Sequence, residues 1–174
     1  MKKTLSILLA QLLIAALLAG CGQKTPSAPA EDASSAETAD AGIYVTVNGQ
    51  NLTVGMPYAG VQEKLGEETQ PAETINSCDE NSDWKQTMHF YEGLTVTEDK
   101  DGNIDGVQVS GGEYALMGKI KIGATKGEVK EVLGEPDTDA AWGLYYTSGA
   151  PWVNIYVDEE TGLVSGFALM PYMN

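Results

Sequence analysis

Residues 59–68 read AGVQEKLGEE, and 68 positions later residues 127–136 read GEVKEVLGEP. A phrase that returns at this spacing constrains the chain more than any other feature, because it requires one structural unit to be built twice. With Gly55 set on Gly123, Val61 falls on Val129, Glu63 on Glu131, Leu65 on Leu133 and Gly66 on Gly134. In the second copy each residue has a helical reason. Thr125 and Glu128 have the spacing of a capping box, and Val129, Val132 and Leu133 share one helical face. Gly134 suits a left-handed cap and Pro136 ends the helix. The first copy opens at Pro57, suited to a first helical turn, and closes at Gly66.

The downstream parts repeat as well. Leu94 and Val96, an acidic turn, then Gly102, Ile104, Gly106, Val107 and Val109 echo Ile155 and Val157, an acidic turn, then Gly162, Val164, Gly166, Phe167 and Leu169. Alternation predicts antiparallel strands here, with an earlier strand in each copy near 87–91 and 142–147. Ahead of the first copy, Ile43–Val47 and Leu52–Val54 flank Asn48-Gly49, the strongest short hairpin signal. The expected fold class is α+β: two tandem units, residues 43–113 and 114–174, each a short helix on an antiparallel sheet of three to four strands. A unit of about 60 residues is marginal alone, so the two are expected to pack together or share a sheet edge.

The N-terminus sets the expected location. Lys2 and Lys3 precede an apolar run, Leu5–Leu18, too short to span a bilayer, which takes about 20 residues. It has the form of a secretory signal. The stretch Leu18-Ala19-Gly20-Cys21 that follows resembles the lipobox of bacterial lipoproteins, which implies a signal peptide over 1–20 and a diacylglyceryl group on Cys21. Residues 21–42 contain no large apolar side chain and read as a flexible linker after the lipidated cysteine. The expected localisation is the extracytoplasmic side of the cell membrane, held through that lipid. Losing residues 1–20 removes two of ten lysines and no acid, leaving eight lysines against 25 acids, a formal charge of −17. Such a chain repels nucleic acid, so none is expected as a partner.

The helical phrase followed by an antiparallel sheet resembles the small outer-membrane lipoproteins of the SmpA/OmlA group. Two such units in tandem resemble the beta-lactamase inhibitor protein fold. The chain is also similar to a group of lipoproteins from Gram-positive gut bacteria, which share a Ser-Cys step like Ser77-Cys78 and an aromatic hairpin like Phe90-Tyr91-Glu92-Gly93-Leu94. The resemblance spans about residues 52–170 and implies a helix-backed sheet with an open face for partners. It carries no catalytic residue.

The residues themselves offer little chemistry. The chain holds a single histidine, His89, eleven residues after Cys78. A lone histidine in a strand pattern is expected to be structural or at the surface, and Cys78 to be a small buried apolar residue. No Cys/His spacing suits zinc. Asp101-Gly102-Asn103-Ile104-Asp105-Gly106 matches the first six positions of a calcium loop, but Gly112 stands where the bidentate acid belongs, and Val107-Gln108-Val109 alternates as a strand. An acidic hairpin turn is the expectation, with no metal, cofactor or catalytic residue.

The better site lies in the second copy. With Val153, Ile155 and Val157 toward the helix, Trp152, Asn154 and Tyr156 occupy the opposite sheet face and Tyr145 joins them, the other reading being that these aromatics fill the core or the seam between the two units. Thr95, Thr97 and Gln108 are the counterparts in the first copy, with His89 or Tyr91 nearby, while Trp84 is expected as a lid or loop anchor. The expected function is non-enzymatic binding of a protein or cell-wall partner through this open face. The alternative is a small-ligand or calcium-binding accessory lipoprotein.

Overall fold

A computed structural model of the protein describes residues 42–78 and 82–171. These lie within one compact unit, Thr38–Asn174. Cys21 and the segment read as a signal and tether fall outside the described residues, apart from Gly42.

The chain opens with β1 (Val45–Val47) and β2 (Gln50–Leu52), joined at Asn48 and Gly49 with φ of 49° and 78°. Positive φ at both central residues is the twist that a two-residue hairpin requires. A 3-10 turn at Tyr58–Gly60 leads into α1 (Gln62–Leu65). Then come β3 (Gln70–Asn76), β4 (Lys85–Tyr91), β5 (Leu94–Asp99), β6 (Ile104–Val109) and β7 (Ala115–Leu116). The second half holds α2 (Lys126–Leu133), β8 (Thr138–Ala140), β9 (Gly143–Tyr146), β10 (Trp152–Val157) and β11 (Val164–Met170).

Two sheets result. A small one has the order β2-β1-β7, and the main one has the order β3-β4-β5-β6-β11-β10-β9-β8. The main order is palindromic with respect to the repeat, since each copy runs from an outer strand to an inner one. The copies meet where β6 pairs antiparallel with β11 through Phe167–Val109, Ala168–Gln108 and Leu169–Val107.

Cross-strand registers run unbroken from one half to the other. Tyr91, Leu94, Val109, Phe167, Ile155 and Leu144 form one row, and His89, Val96, Val107, Leu169, Val153 and Tyr146 the next. Successive strand residues point to opposite faces, so both rows lie on one side. They join Val45, Val47, Leu52, Leu65, Leu116 and Val129 in a single core. Val153 and Ile155 are fully buried and Val157 nearly so. The repeat also encodes a bulge. The β5–β6 register shifts at Thr97/Glu98 and the β10–β11 register at Tyr156/Val157, which leaves Asp105 and Ser165 as the extra residues.

This architecture corrects the α+β expectation of two helix-plus-sheet units. The protein is mostly β, with eleven strands among the described residues, and the copies share a sheet edge so fully that they form one eight-stranded sheet rather than two helix-on-sheet units. The physical reason begins at the first helix. Where α2 has Thr125 and Glu128 in a complete capping box, the first copy has Pro57 and Gly60. Neither can supply the reciprocal side-chain bonds, so that copy forms a 3-10 turn and a four-residue α1. The missed strands explain the rest. All of β3 is exposed, β7 has two residues and β8 three, and none of them carries apolar alternation. At the end of α2, Gly134 has φ 83° but an extended ψ of −166°, so its cap is not the left-handed helical one.

Candidate functional site

The face of the main sheet turned away from the core carries its own cross-strand row: Phe90, Thr95, Gln108, Ala168, Asn154, Tyr145 and Thr138. Met88, Thr97, Met170 and Trp152 form the next row on one side of it, and Tyr156 lies on the other. Apart from buried Ala168 and exposed Gln108 and Thr138, these residues are half-buried. The face therefore presents aromatic rings, thioethers, amides and hydroxyls with no charge along its central row.

Tyr156 is held between two glycines, Gly143 on β9 and Gly166 on β11. A Cβ on Gly166 would stand 2.7 Å from the Val109 carbonyl, and one on Gly143 would stand 2.6 Å from the Ile155 carbonyl and 2.8 Å from the Tyr145 hydroxyl. The Tyr145 ring thus folds back over Gly143, a position open only to glycine. Trp142 meets Tyr145 edge to face, ring centres 5.0 Å apart, and is 55% exposed. Among the described residues the buried Tyr145 hydroxyl has no hydrogen-bond partner, and burial, with the neighbouring Tyr156, raises its pKa above the ordinary phenol value.

Of the residues singled out from sequence, Trp152, Asn154 and Tyr156 lie on this face, and Tyr145 stands directly opposite Asn154. Thr95, Thr97 and Gln108 share the face. His89 and Tyr91 do not: both turn into the core, and Phe90 and Met88 take the outward positions. Trp142, Phe90 and Met88 were missed. For Phe90 and Met88 the signal was present, because β4 alternates and its inward set is Tyr91 with His89. A histidine on the buried set obscured that parity.

His89 is instead the buried centre of a polar clasp. Its Nδ1 lies 2.9 Å from Glu68 Oε1 and its Nε2 3.0 Å from Glu98 Oε2. The ring stacks on Tyr58 with centroids 4.0 Å apart, and the Tyr58 hydroxyl shares a 2.6 Å hydrogen bond with Tyr91. Burial, then the Tyr91 hydroxyl, hold the Tyr58 phenol far above its usual range. With both nitrogens taken, the ring has none left to serve as a base for Cys78. That thiol is exposed rather than buried, which corrects the expectation for it, since it follows β3 at the sheet margin.

The calcium-like stretch forms the β5–β6 turn, with Gly102 at φ 84°. Asp99 Oδ1 accepts the backbone N–H groups of Asp101 and Asn103 at 2.8 and 2.9 Å, Asp101 pairs with Lys100 at 3.2 Å, and Asp105 accepts from the Gln86 amide. Beside this turn Trp84, 46% exposed, lines a shallow cleft of about 200 Å³ with Asp83, Lys85, Lys100 and the turn aspartates. Among the described residues no group of three or more His, Cys, Asp or Glu side chains is arranged to hold a metal ion, and no helix is long and apolar enough to cross a membrane.

Comparison with protein-family models, with curated proteins and with solved structures finds no match to this chain.

Proposed function

We propose that the protein is a lipid-anchored, extracytoplasmic, non-enzymatic binding protein that engages a protein or cell-wall component through the open face of the main sheet. The observation that carries this reading is the uncharged aromatic patch of Trp142, Tyr145, Asn154 and Tyr156. Aromatic rings that bring large area at low entropic cost are the usual anchors of contact surfaces, and polar neighbours orient what they hold. The lipobox-like stretch at Cys21 supports the anchor, and the excess of acids favours partners that are neutral or basic.

The test places a photoreactive residue at Asn154 in the full chain, in its native host, and another at exposed Glu113 away from the face. A recurrent adduct from position 154 alone, lost in Trp142→Ser/Tyr156→Ser with the melting temperature unchanged, supports the reading. Equal adducts from both positions, or none from 154, overturn it.

A further inference from the structure

The two outer strands of the main sheet are treated unequally. β8 is three residues long and guarded: Lys126 donates to the Ala140 carbonyl and pairs with Asp139 at 2.8 Å, and Lys130 reaches Asp139 at 3.0 Å. β3 is seven residues long, pairs among the described residues only with β4, and has every residue exposed on both faces. It contains no lysine, and its single charge is Glu73. A long edge without such guards is a template for another strand, since its outward backbone groups lack ladder partners.

Ladder parity identifies those groups. The Ser77 N–H bonds the Trp84 carbonyl at 3.0 Å, and Ile75 stands opposite Gln86. Glu73, Ile75 and Ser77 therefore turn their N–H and C=O groups toward β4, and Thr74 and Asn76 turn theirs outward. Pro71, which has no N–H, lies between Gln70 and Glu73, where the β3–β4 register is irregular, and so stands outside the regular ladder that carries Thr74 and Asn76.

We infer that β3 pairs antiparallel with β3 of a second copy of this chain, about a two-fold axis at Thr74. In that register the outward Thr74 of each copy meets its counterpart, Asn76 stands across from the position two residues before Thr74, and Glu73 faces Ile75. A shift that centred the axis on Glu73 would set two carboxylates opposite each other. The chain's formal charge of −15 opposes association over long range, but salt at 0.15 M screens charges beyond about 8 Å, so the seam itself decides. One strand pair buries less than the roughly 1,200 Å² of a stable interface, so the dimer forms at high local concentration.

Single cysteines in the full chain carrying Cys78→Ser test this by oxidative cross-linking in cells, with the Cys78→Ser parent measuring any contribution of Cys21. Thr74→Cys would face its own copy at about 5.5 Å between Cα atoms, within disulfide reach, whereas Gln70→Cys would be about 27 Å from its copy. The expected result is a disulfide dimer at position 74, at least tenfold weaker at 70. Adding Asn76→Pro, which removes an outward N–H and no N–H of the β3–β4 ladder, reduces the position-74 dimer severalfold, whereas Asn76→Ala, which removes only the side chain, does not. Equal cross-linking at 70 and 74, no dimer at 74, insensitivity to the proline, or a mixed disulfide with a different protein at 74 overturns the inference.

Discussion

Asp137 shows how a single side chain can organise a loop. Its carboxylate accepts from the Ser148 hydroxyl and from the backbone N–H groups of Thr147 and Ser148, the latter at 2.8 Å. These bonds, led by the Ser148 hydroxyl, hold its pKa below the ordinary aspartate value. A carboxyl depressed in the folded state stabilises the fold fully above its unfolded pKa, near 3.9, and loses that contribution as pH falls through the lower folded value. Asp137→Asn should therefore be less stable than the parent at pH 7, and the gap should close below about pH 4. Urea unfolding at a series of pH values measures it, and a gap that persists unchanged at pH 2 would refute the assignment. Residue roles of this kind were not legible in sequence. The partners of Asp137 lie ten and eleven positions away, and those of His89 lie in the loop before β3 and on β5.

Among the elements, α2 was readable because its determinants are local. Thr125 accepts the Glu128 N–H while Glu128 accepts the Thr125 N–H, a reciprocal bond across three residues. Thr125→Ala should lower stability by about 1 kcal/mol, read as a drop in urea midpoint with unchanged slope. An unaltered midpoint would mean that docking on β8 through Lys126 and Lys130 holds α2 without its cap. The β1–β2 hairpin was legible for the same reason, its Asn-Gly turn being a two-residue code. β3 and β8 were not, because an edge strand with exposed faces leaves no apolar period to read.

For the whole molecule, the β6–β11 seam joins the halves through only three paired positions, yet the core rows cross it without interruption. Such a structure should unfold as one unit. Leu169, fully buried on the seam, should cost about 2–5 kcal/mol when changed to Ala, with circular dichroism and tryptophan fluorescence following one shared transition. Two separated transitions, with Trp84 reporting one half and Trp142 and Trp152 the other, would show that the halves fold independently.

The sequence by itself determined the repeat, the α2 cap, the first hairpin, and the side of β10 on which Trp152, Asn154 and Tyr156 stand. Each depends on neighbours a few residues apart, through helical or strand periodicity. The tertiary structure alone decided that the two copies share one eight-stranded sheet and that His89 is drawn inward between Glu68 and Glu98. It also placed Trp142 over Tyr145 and left β3 as the open edge. These depend on which strands become neighbours, a choice made by long-range burial and backbone pairing that no local spacing records.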